Sequence, residues 1–235
     1  MLTNLQAPAR LRETPSQTAG PYVHIGLAPA AAGFDIYETE LGRDVAGPAA
    51  EGTRIRVEGT VTDGTGTPVR DALIEVWQAD ASGRYAHPED GGTARGFRGW
   101  GRVVPDFETG EWAFETVKPG AVPARGAEGW RAAETGPAAD EEVRDAHGRG
   151  HQGLRRQAPH ISFWLVARGI NVGLATRMYF GDEAEANAVD PVLGLVEQPA
   201  RRATLIADAR GGGGMPAYRF DIRLQGEGET VFLDV

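Results

Sequence analysis

Apolar and polar positions alternate along several short segments of this chain. In residues 54–61, Ile55, Val57 and Val61 fall on one face of an extended strand, because side chains two residues apart share a face. Residues 217–226 alternate in the same way, so both segments are predicted to be strands that bury one face. In the second segment the predicted inward side chains are Tyr218, Phe220, Ile222 and Leu224, and the predicted outward ones are Arg219, Asp221, Arg223 and Gln225.

Other segments are apolar on both faces, which is typical of strands in the interior of a β-sandwich. Residues 72–80 and 160–168 have this pattern, and the shorter segments 112–117 and 176–180 are also strand-like. Glycine and proline are frequent, at 33 and 15 of 235 residues, and turn-like clusters of them separate the segments. The pattern predicts an all-β fold, an antiparallel β-sandwich with short helices and long loops.

Two segments have helical character. Residues 182–188 are predicted to be a helix, and residues 204–209 a second short one. The four glycines at 211–214 stand between two strand-like segments, so they predict a hairpin loop rather than a phosphate-binding loop.

Residues 1–235 are expected to form a single domain with two loosely attached segments. Residues 1–13 are predicted to be an N-terminal arm. Residues 124–156 are rich in glycine, alanine and charged side chains and are predicted to be a surface insertion between two strands. A segment of that length without regular structure is either functional or partly disordered, and both interpretations stay open.

Composition argues against several classes of function. The formal net charge of −9 argues against nucleic acid or an anionic membrane surface as a partner. The absence of cysteine excludes disulfides, thiolate metal sites and cysteine nucleophiles, and it fits the cytoplasm, where we expect the protein to be located. The sequence contains no run of eighteen apolar residues, so no membrane helix is predicted. It shows no apolar N-terminal leader, so secretion is not predicted.

Histidines are the first candidates for metal chemistry. His147 and His151 are four residues apart, but nearby glycines argue against the helix that would place them on one face. His160 begins the strand predicted at 160–168, where it is either a metal ligand or a hydrogen-bonded core histidine. If it is a ligand, the other ligands must come from elsewhere in the chain.

Several longer motifs, in order along the chain, resemble those of the intradiol ring-cleaving dioxygenases. They are TPSQTAGPYVHIGLAP at 14–29, DALIEVWQADASGRY at 71–85, TVKPGAVP at 116–123, APHISFWLVARGIN at 158–171, RMYFGDEAEAN at 177–187, PVLGLVEQPARRATLIA at 191–207 and YRFDIRLQGEGETVFLDV at 218–235. The resemblance covers nearly the whole chain except residues 1–13 and 124–156. It implies a β-sandwich of the intradiol dioxygenase type and a reaction of the beta-ketoadipate pathway, in which dioxygen converts protocatechuate to 3-carboxy-cis,cis-muconate.

The resemblance also implies a non-haem ferric ion, which the iron-bearing chains of the family hold with two tyrosines and two histidines. Here no tyrosine stands between residues 85 and 179, and the HIH-type element of those chains reads HIS at 160–162. In the family the second tyrosine lies in the stretch after KPG, where this chain has Val122, so the resemblance implies Val122, His160 and Ser162 as the vestigial metal positions. One imidazole cannot hold or charge-balance a ferric ion, so this chain is predicted to bind no metal, and His160 to be a hydrogen-bonded core histidine.

The ferric ion is then expected on a partner chain, the iron-bearing beta subunit, in a hetero-oligomer of several such pairs. The resemblance implies that this chain has no catalytic residue of its own and covers the partner's iron site with a loop and a strand-end arginine. These candidate substrate-binding residues are Thr18, Gly20, Pro21, Tyr22 and Arg168. The segments TPSQTAGPY and TVFLDV are expected to be buried by the partner.

Each of these residue types has a physical reason to be there. The planar guanidinium of Arg168 can bind a carboxylate with two hydrogen bonds, and protocatechuate carries a carboxylate. Gly20 and Pro21 make a stiff loop that can approach a flat ring closely. Thr18 can hydrogen-bond a polar substituent. The alternatives are an exposed strand-end salt bridge for Arg168 and interface packing for Thr18 and Tyr22.

Two other functions stay open. The chain can be a stand-alone ligand-binding or structural module with a lost metal site, in which case no large apolar patch should await a partner. It can also be a homomeric dioxygenase with a different iron site, which the missing tyrosines argue against.

Overall fold

The structure is a computed structural model of the chain. It describes residues 14–39, 41–87, 96–124, 143–144, 150–151, 156–211 and 214–234. The arm predicted at 1–13 lies outside the described residues, as does nearly all of the insertion predicted at 124–156. The pair His147 and His151 also falls outside, since residue 147 and the side chain of residue 151 are not described.

Strands dominate the described part of the chain, and its helices are short. The strands are β1 (Arg54–Thr62), β2 (Leu73–Gln78), β3 (Trp100–Val103), β4 (Glu111–Val117), β5 (Val122–Pro123), β6 (Val143–Arg144), β7 (Gly150–His151), β8 (Arg156–Gln157), β9 (His160–Val166), β10 (Leu174–Phe180), β11 (Ile206–Arg210), β12 (Ala217–Arg219) and β13 (Ile222–Arg223). The helices are α1 (Val23–Leu27), α2 (Ala184–Val189) and α3 (Pro199–Ala203), with 3-10 turns at Pro29–Ala32 and Leu193–Leu195. Within these described ranges, no helix has the length and apolar character needed to cross a bilayer.

Most of the strands belong to one sheet, which confirms the all-β class. Its order is β13-β1-β12-β11-β10-β9-β2-β3, and β4 pairs with the other edge of β1. Two short pairs, β5 with β8 and β6 with β7, lie apart from it. Most pairings in the sheet are antiparallel as predicted, whereas β1 with β12, β1 with β13 and β10 with β11 are parallel.

The strong alternating and apolar segments form strands as predicted. Those expected at 54–61, 72–80, 112–117, 160–168 and 176–180 correspond to β1, β2, β4, β9 and β10. The segment 217–226 is interrupted, because it contains β12 and β13 with two residues between them. Its predicted inward side chains Tyr218, Phe220 and Ile222 are nevertheless buried, and Leu224 packs against the same core.

Of the two predicted helices, the one at 182–188 is confirmed as α2 and the one at 204–209 is wrong. The second segment instead leads into β11, which lies between β10 and β12. Leu205 and Ala207 are buried there, so apolar residues that would also suit a helix pack beneath the sheet instead. Strands β11 and β12, on either side of glycines 211–214, are antiparallel neighbours, as predicted for a hairpin.

The main core lies between two facing parts of the folded-over sheet. The ring of Phe163 in β9 lies with its centroid 5.6 Å from Trp112 and 6.3 Å from Phe114, both in β4, and 5.3 Å from Phe220. All four side chains are buried. Because β4 and β9 do not pair with each other, this aromatic contact joins opposite faces of the sandwich.

The interruption between β12 and β13 depends on Gly59 in β1. Phe220 and Asp221, the two residues of the interruption, hydrogen-bond to the residues on either side of Gly59. A Cβ atom on Gly59 would overlap the carbonyl oxygen of Phe220 and lie 2.8 Å from the ring of Trp112. Backbone atoms cannot swing aside as a flexible side chain can, so this close approach requires glycine.

We predict that Gly59→Ala destabilises the protein by about 2–3 kcal/mol, because the added methyl group forces the backbone of β1 away from Phe220. The measurement is the free energy of unfolding from a urea titration. Gly194→Ala is the matched control, since a Cβ there meets no atom within 4 Å, and it should change stability by less than about 0.5 kcal/mol. Equal stability of the two variants would contradict the packing constraint.

Candidate functional site

Strand β9 connects the two places where site residues were predicted. His160 is its first residue, and Arg168 follows two residues after its end. The strand lies between β2 and β10, and Ile161, Phe163 and Leu165 are almost fully buried. Arg168 is eight residues after His160. At about 3.3 Å per residue of extended chain, the two residues are roughly 26 Å apart. The predicted residues therefore fall into two separate groups.

At the first end, His160 is a hydrogen-bonded core histidine, as expected. Its side chain is buried, and its Nδ1 lies 2.7 Å from the carbonyl oxygen of Ala158. A carbonyl oxygen can only accept, so Nδ1 carries the proton and donates it. The other ring nitrogen, Nε2, is 3.0 Å from the hydroxyl of Tyr85 and accepts its hydrogen bond. Both ring nitrogens thus have partners within the chain.

The surroundings of His160 disfavour a positive charge. Burial, and then the nearby guanidinium of Arg177, lower the pKa of His160 to about 4, so the ring is neutral at physiological pH. Arg177 is opposite Ser162 in the strand register, and its Nη1 donates to Oε1 of Gln157 at 2.6 Å. A fixed cation therefore stands beside the histidine that would have to bind a metal.

The other two vestigial metal positions offer no strong ligand. Ser162 is half-buried on β9 and carries only a neutral hydroxyl, and Val122 is buried and apolar. In the parts of the chain that are described, no three histidine or acidic side chains are grouped so that they could hold a metal ion. A ferric ion needs anionic ligands to balance its charge. Tyr85 lies beside His160, but with the guanidinium of Arg177 nearby and no anionic ligand at Ser162 or Val122, the residues around His160 do not fit this ion.

Two residues of this end were not anticipated from the sequence. Tyr85 lies directly after the turn that follows β2, and only the fold brings its hydroxyl to His160. Asp190 is buried and anchors the start of β9: its carboxylate accepts hydrogen bonds from the backbone N–H of Ala158 at 2.7 Å and of Leu193 at 2.7 Å, and from the hydroxyl of Tyr179 at 3.1 Å. Their only sequence signal was a position next to a predicted strand or helix.

At the second end, the structure brings the predicted loop and the predicted arginine together. The hydroxyl oxygen of Thr18 accepts a hydrogen bond from the backbone N–H of Gly169 at 2.7 Å, and Ala19 forms a parallel bridge with Arg168. The next residues, Gly20 to Tyr22, are exposed and lead into α1. The loop is therefore tied to the strand end before it projects outward.

Arg168 is available for recognition. Its side chain is 71% exposed, and its Nε lies 3.4 Å from Oδ2 of Asp71, whose side chain is only 12% exposed. This acidic neighbour was not predicted from the sequence. The arginine end, meaning the loop Thr18–Tyr22 together with Arg168, can bind and orient an anion and shield it from water.

Comparison with known proteins identifies the family. The sequence model of the Dioxygenase family (Dioxygenase_C) matches residues 35–226. The chain is 49% identical over 224 residues to a protocatechuate 3,4-dioxygenase alpha chain of Pseudomonas putida, covering 95% of this chain and 97% of the relative. It is also 35% identical over 186 residues to a protocatechuate 3,4-dioxygenase beta chain of Burkholderia cepacia, covering 76% of this chain and 67% of that one.

A solved structure supports the fold. The crystal structure of hydroxyquinol 1,2-dioxygenase from Pseudomonas putida DLL-E4 superimposes with a TM-score of 0.52 at 19% identity, covering 81% of this chain and 64% of that one. At this identity the likeness concerns the fold alone, whereas the full-length matches in sequence establish descent. The chain therefore belongs to the intradiol dioxygenase family, as its motifs indicated.

Proposed function

We propose that this chain is the metal-free alpha subunit of a protocatechuate 3,4-dioxygenase and completes the active site of an iron-bearing beta subunit. The reaction is the cleavage of protocatechuate by dioxygen to 3-carboxy-cis,cis-muconate. The observation that carries the proposal is the location of Arg168, which is exposed and roughly 26 Å from this chain's own vestigial metal position. A carboxylate bound by Arg168 therefore belongs to a ligand that another chain holds.

The arginine end would contribute recognition and shielding. Arg168 binds the substrate carboxylate as a charge-assisted pair, which fixes the direction of the aromatic ring. Gly20 and Pro21 form a wall against the ring and keep water out, and Tyr22 extends that wall. Because the Thr18 hydroxyl already accepts from Gly169, we assign Thr18 to holding the loop rather than to contacting substrate.

The iron would belong to the beta subunit, since the residues around His160 do not fit it. When bound there, a ferric ion makes a chelated catecholate reactive toward dioxygen. This chain's part is to bind, orient and enclose the substrate. The cytoplasmic location expected from the sequence stays a prediction.

Exposed apolar side chains support a permanent partner. Six of the twelve large apolar side chains that are exposed in the described residues lie within 22–41, which begins at the last residue of the loop Thr18–Tyr22. They are Tyr22, Leu27, Phe34, Ile36, Tyr37 and Leu41. The C-terminal TVFLDV segment, also expected to meet the partner, instead packs on its own chain: Phe232 contacts the main core, and the N–H of Leu233 donates to the carbonyl of Ala175 at 2.8 Å.

We predict that Arg168→Ala in the assembled complex lowers kcat/KM for protocatechuate by about 10- to 100-fold, because a charged hydrogen bond contributes roughly 1.5–3 kcal/mol. Turnover of catechol, which lacks the carboxylate, should change far less. Arg210→Ala, an exposed arginine at the end of β11, is the matched control and should affect neither substrate. If Arg168→Ala slows both substrates equally, or neither, Arg168 is only a structural ion pair.

Purified alone, the chain is expected to contain no stoichiometric ferric iron and to show no visible tyrosinate-to-iron absorption. The reason is that His160 is neutral, engaged at both nitrogens and close to a fixed cation. The measurements are iron content per chain and the visible spectrum, with the co-expressed pair as the positive control. A coloured isolated chain with about one iron per polypeptide would refute this.

Co-expression with the candidate beta subunit should give a complex in which residues 22–41 are buried. Ile36→Ser and Leu41→Ser should each weaken assembly roughly ten-fold or more, because each removes about 1.5–3 kcal/mol of apolar burial. Val189→Ser, an exposed apolar side chain on α2, should leave assembly unchanged. The measurement is sedimentation velocity over a concentration series. A wild-type chain that remains monomeric beside its partner would favour a stand-alone module instead.

A further inference from the structure

The environment of Arg168 includes a carboxylate that the proposed function does not use. Asp71 precedes β2, and its Oδ2 is buried without a hydrogen-bond partner among the described residues. The nearest cation is Arg168, whose Nε is 3.4 Å away. A carboxylate that is 12% exposed has lost most of its hydration, so it is strongly drawn to a cation. The Arg168 guanidinium is thus close to Asp71 at its Nε edge, while most of the Arg168 side chain is in solvent.

We propose that Asp71 is a positioning residue: it holds the Nε edge of the Arg168 guanidinium and leaves both terminal nitrogens for the substrate carboxylate. An arginine side chain in solvent samples many rotamers, and fixing it costs conformational entropy. A buried anion at Nε restricts that freedom before substrate arrives. The free edge with its two terminal nitrogens is the one that can make a bidentate pair with a carboxylate.

A second buried side chain, His24, is influenced electrostatically by Asp71. His24 in α1 is buried, and neither of its ring nitrogens has a hydrogen-bond partner in the described part of the chain. Its ring packs 5.2 Å from that of Phe107. Burial lowers the pKa of His24, and the negative charge of Asp71 opposes this shift.

This arrangement links the two parts of the arginine end. The loop reaches the strand end through the bridge of Ala19 with Arg168 and through the hydrogen bond from Gly169 to Thr18. The loop and the Asp71 carboxylate thus meet at Arg168, the first at its backbone and the second at its guanidinium. The inference rests on the proposed function, because it concerns how Arg168 recognises the substrate of that site.

The test uses the assembled alpha–beta complex with the variants Asp71→Ala, Asp71→Asn and Arg168→Ala, and the double variant Asp71→Ala with Arg168→Ala. The quantity measured is the specificity ratio, kcat/KM for protocatechuate divided by kcat/KM for catechol. Asp71→Ala should lower this ratio about 3- to 10-fold through KM for protocatechuate. Asp71→Asn keeps the shape of the side chain but removes the charge of the ion pair, so it should lower the ratio to a similar extent. In the Arg168→Ala background, Asp71→Ala should lower the ratio no further.

The sign of the effect separates positioning from simple electrostatics. Removing Asp71 also removes a negative charge near an anionic substrate, which by itself would raise the ratio. A ratio that rises or stays constant in Asp71→Ala would overturn the proposal, as would an equal loss with and without Arg168. If Arg168→Ala itself leaves the ratio unchanged, the proposed substrate contact fails first and the positioning role fails with it. General damage to the fold would slow both substrates and leave the ratio constant.

Discussion

The packing of Phe163 against Trp112, Phe114 and Phe220 fixes strand β9 inside the sandwich. Because side chains alternate along a strand, a shift of one residue would turn Phe163 out of the core and expose it. Close-packed interiors do not tolerate such a shift. Both groups of site residues lie at the ends of β9, so one aromatic contact sets the position of each of them.

The two ends of β9 differ in where their polar groups find partners. His160 satisfies both ring nitrogens within its own chain, next to a guanidinium that repels cations. Arg168 instead keeps most of its side chain in solvent and has one partner on one edge. The His160 ring therefore has no free nitrogen for a ligand, whereas the exposed edge of the Arg168 guanidinium can still bind one. The same strand can thus lose one function and keep another, since roughly 26 Å separates its ends.

The sequence predicted the parts of the fold that depend on local pattern. Strands with clear alternation or continuous apolar residues, such as β1 and β9, were found where expected, and so was α2. The error at 204–209 arose because Leu205 and Ala207 suit a helix in isolation, whereas pairing with β10 and β12 decides in favour of a strand. Asp71 and Tyr85 were missed for a related reason: their partners are 97 and 75 residues away along the chain, and no local pattern records such contacts.

The parallel pairing of β1 with β12 and β13 has a consequence for biosynthesis. The backbone N–H of Thr60 bonds to the carboxylate of Asp221, 161 residues later, so the part of β1 around Thr60 waits for its neighbour until those residues have been synthesised. At about 5–20 residues per second this interval lasts roughly ten to thirty seconds. Unpaired strand edges invite association between nascent chains, so this edge of β1 is exposed to such association throughout that interval.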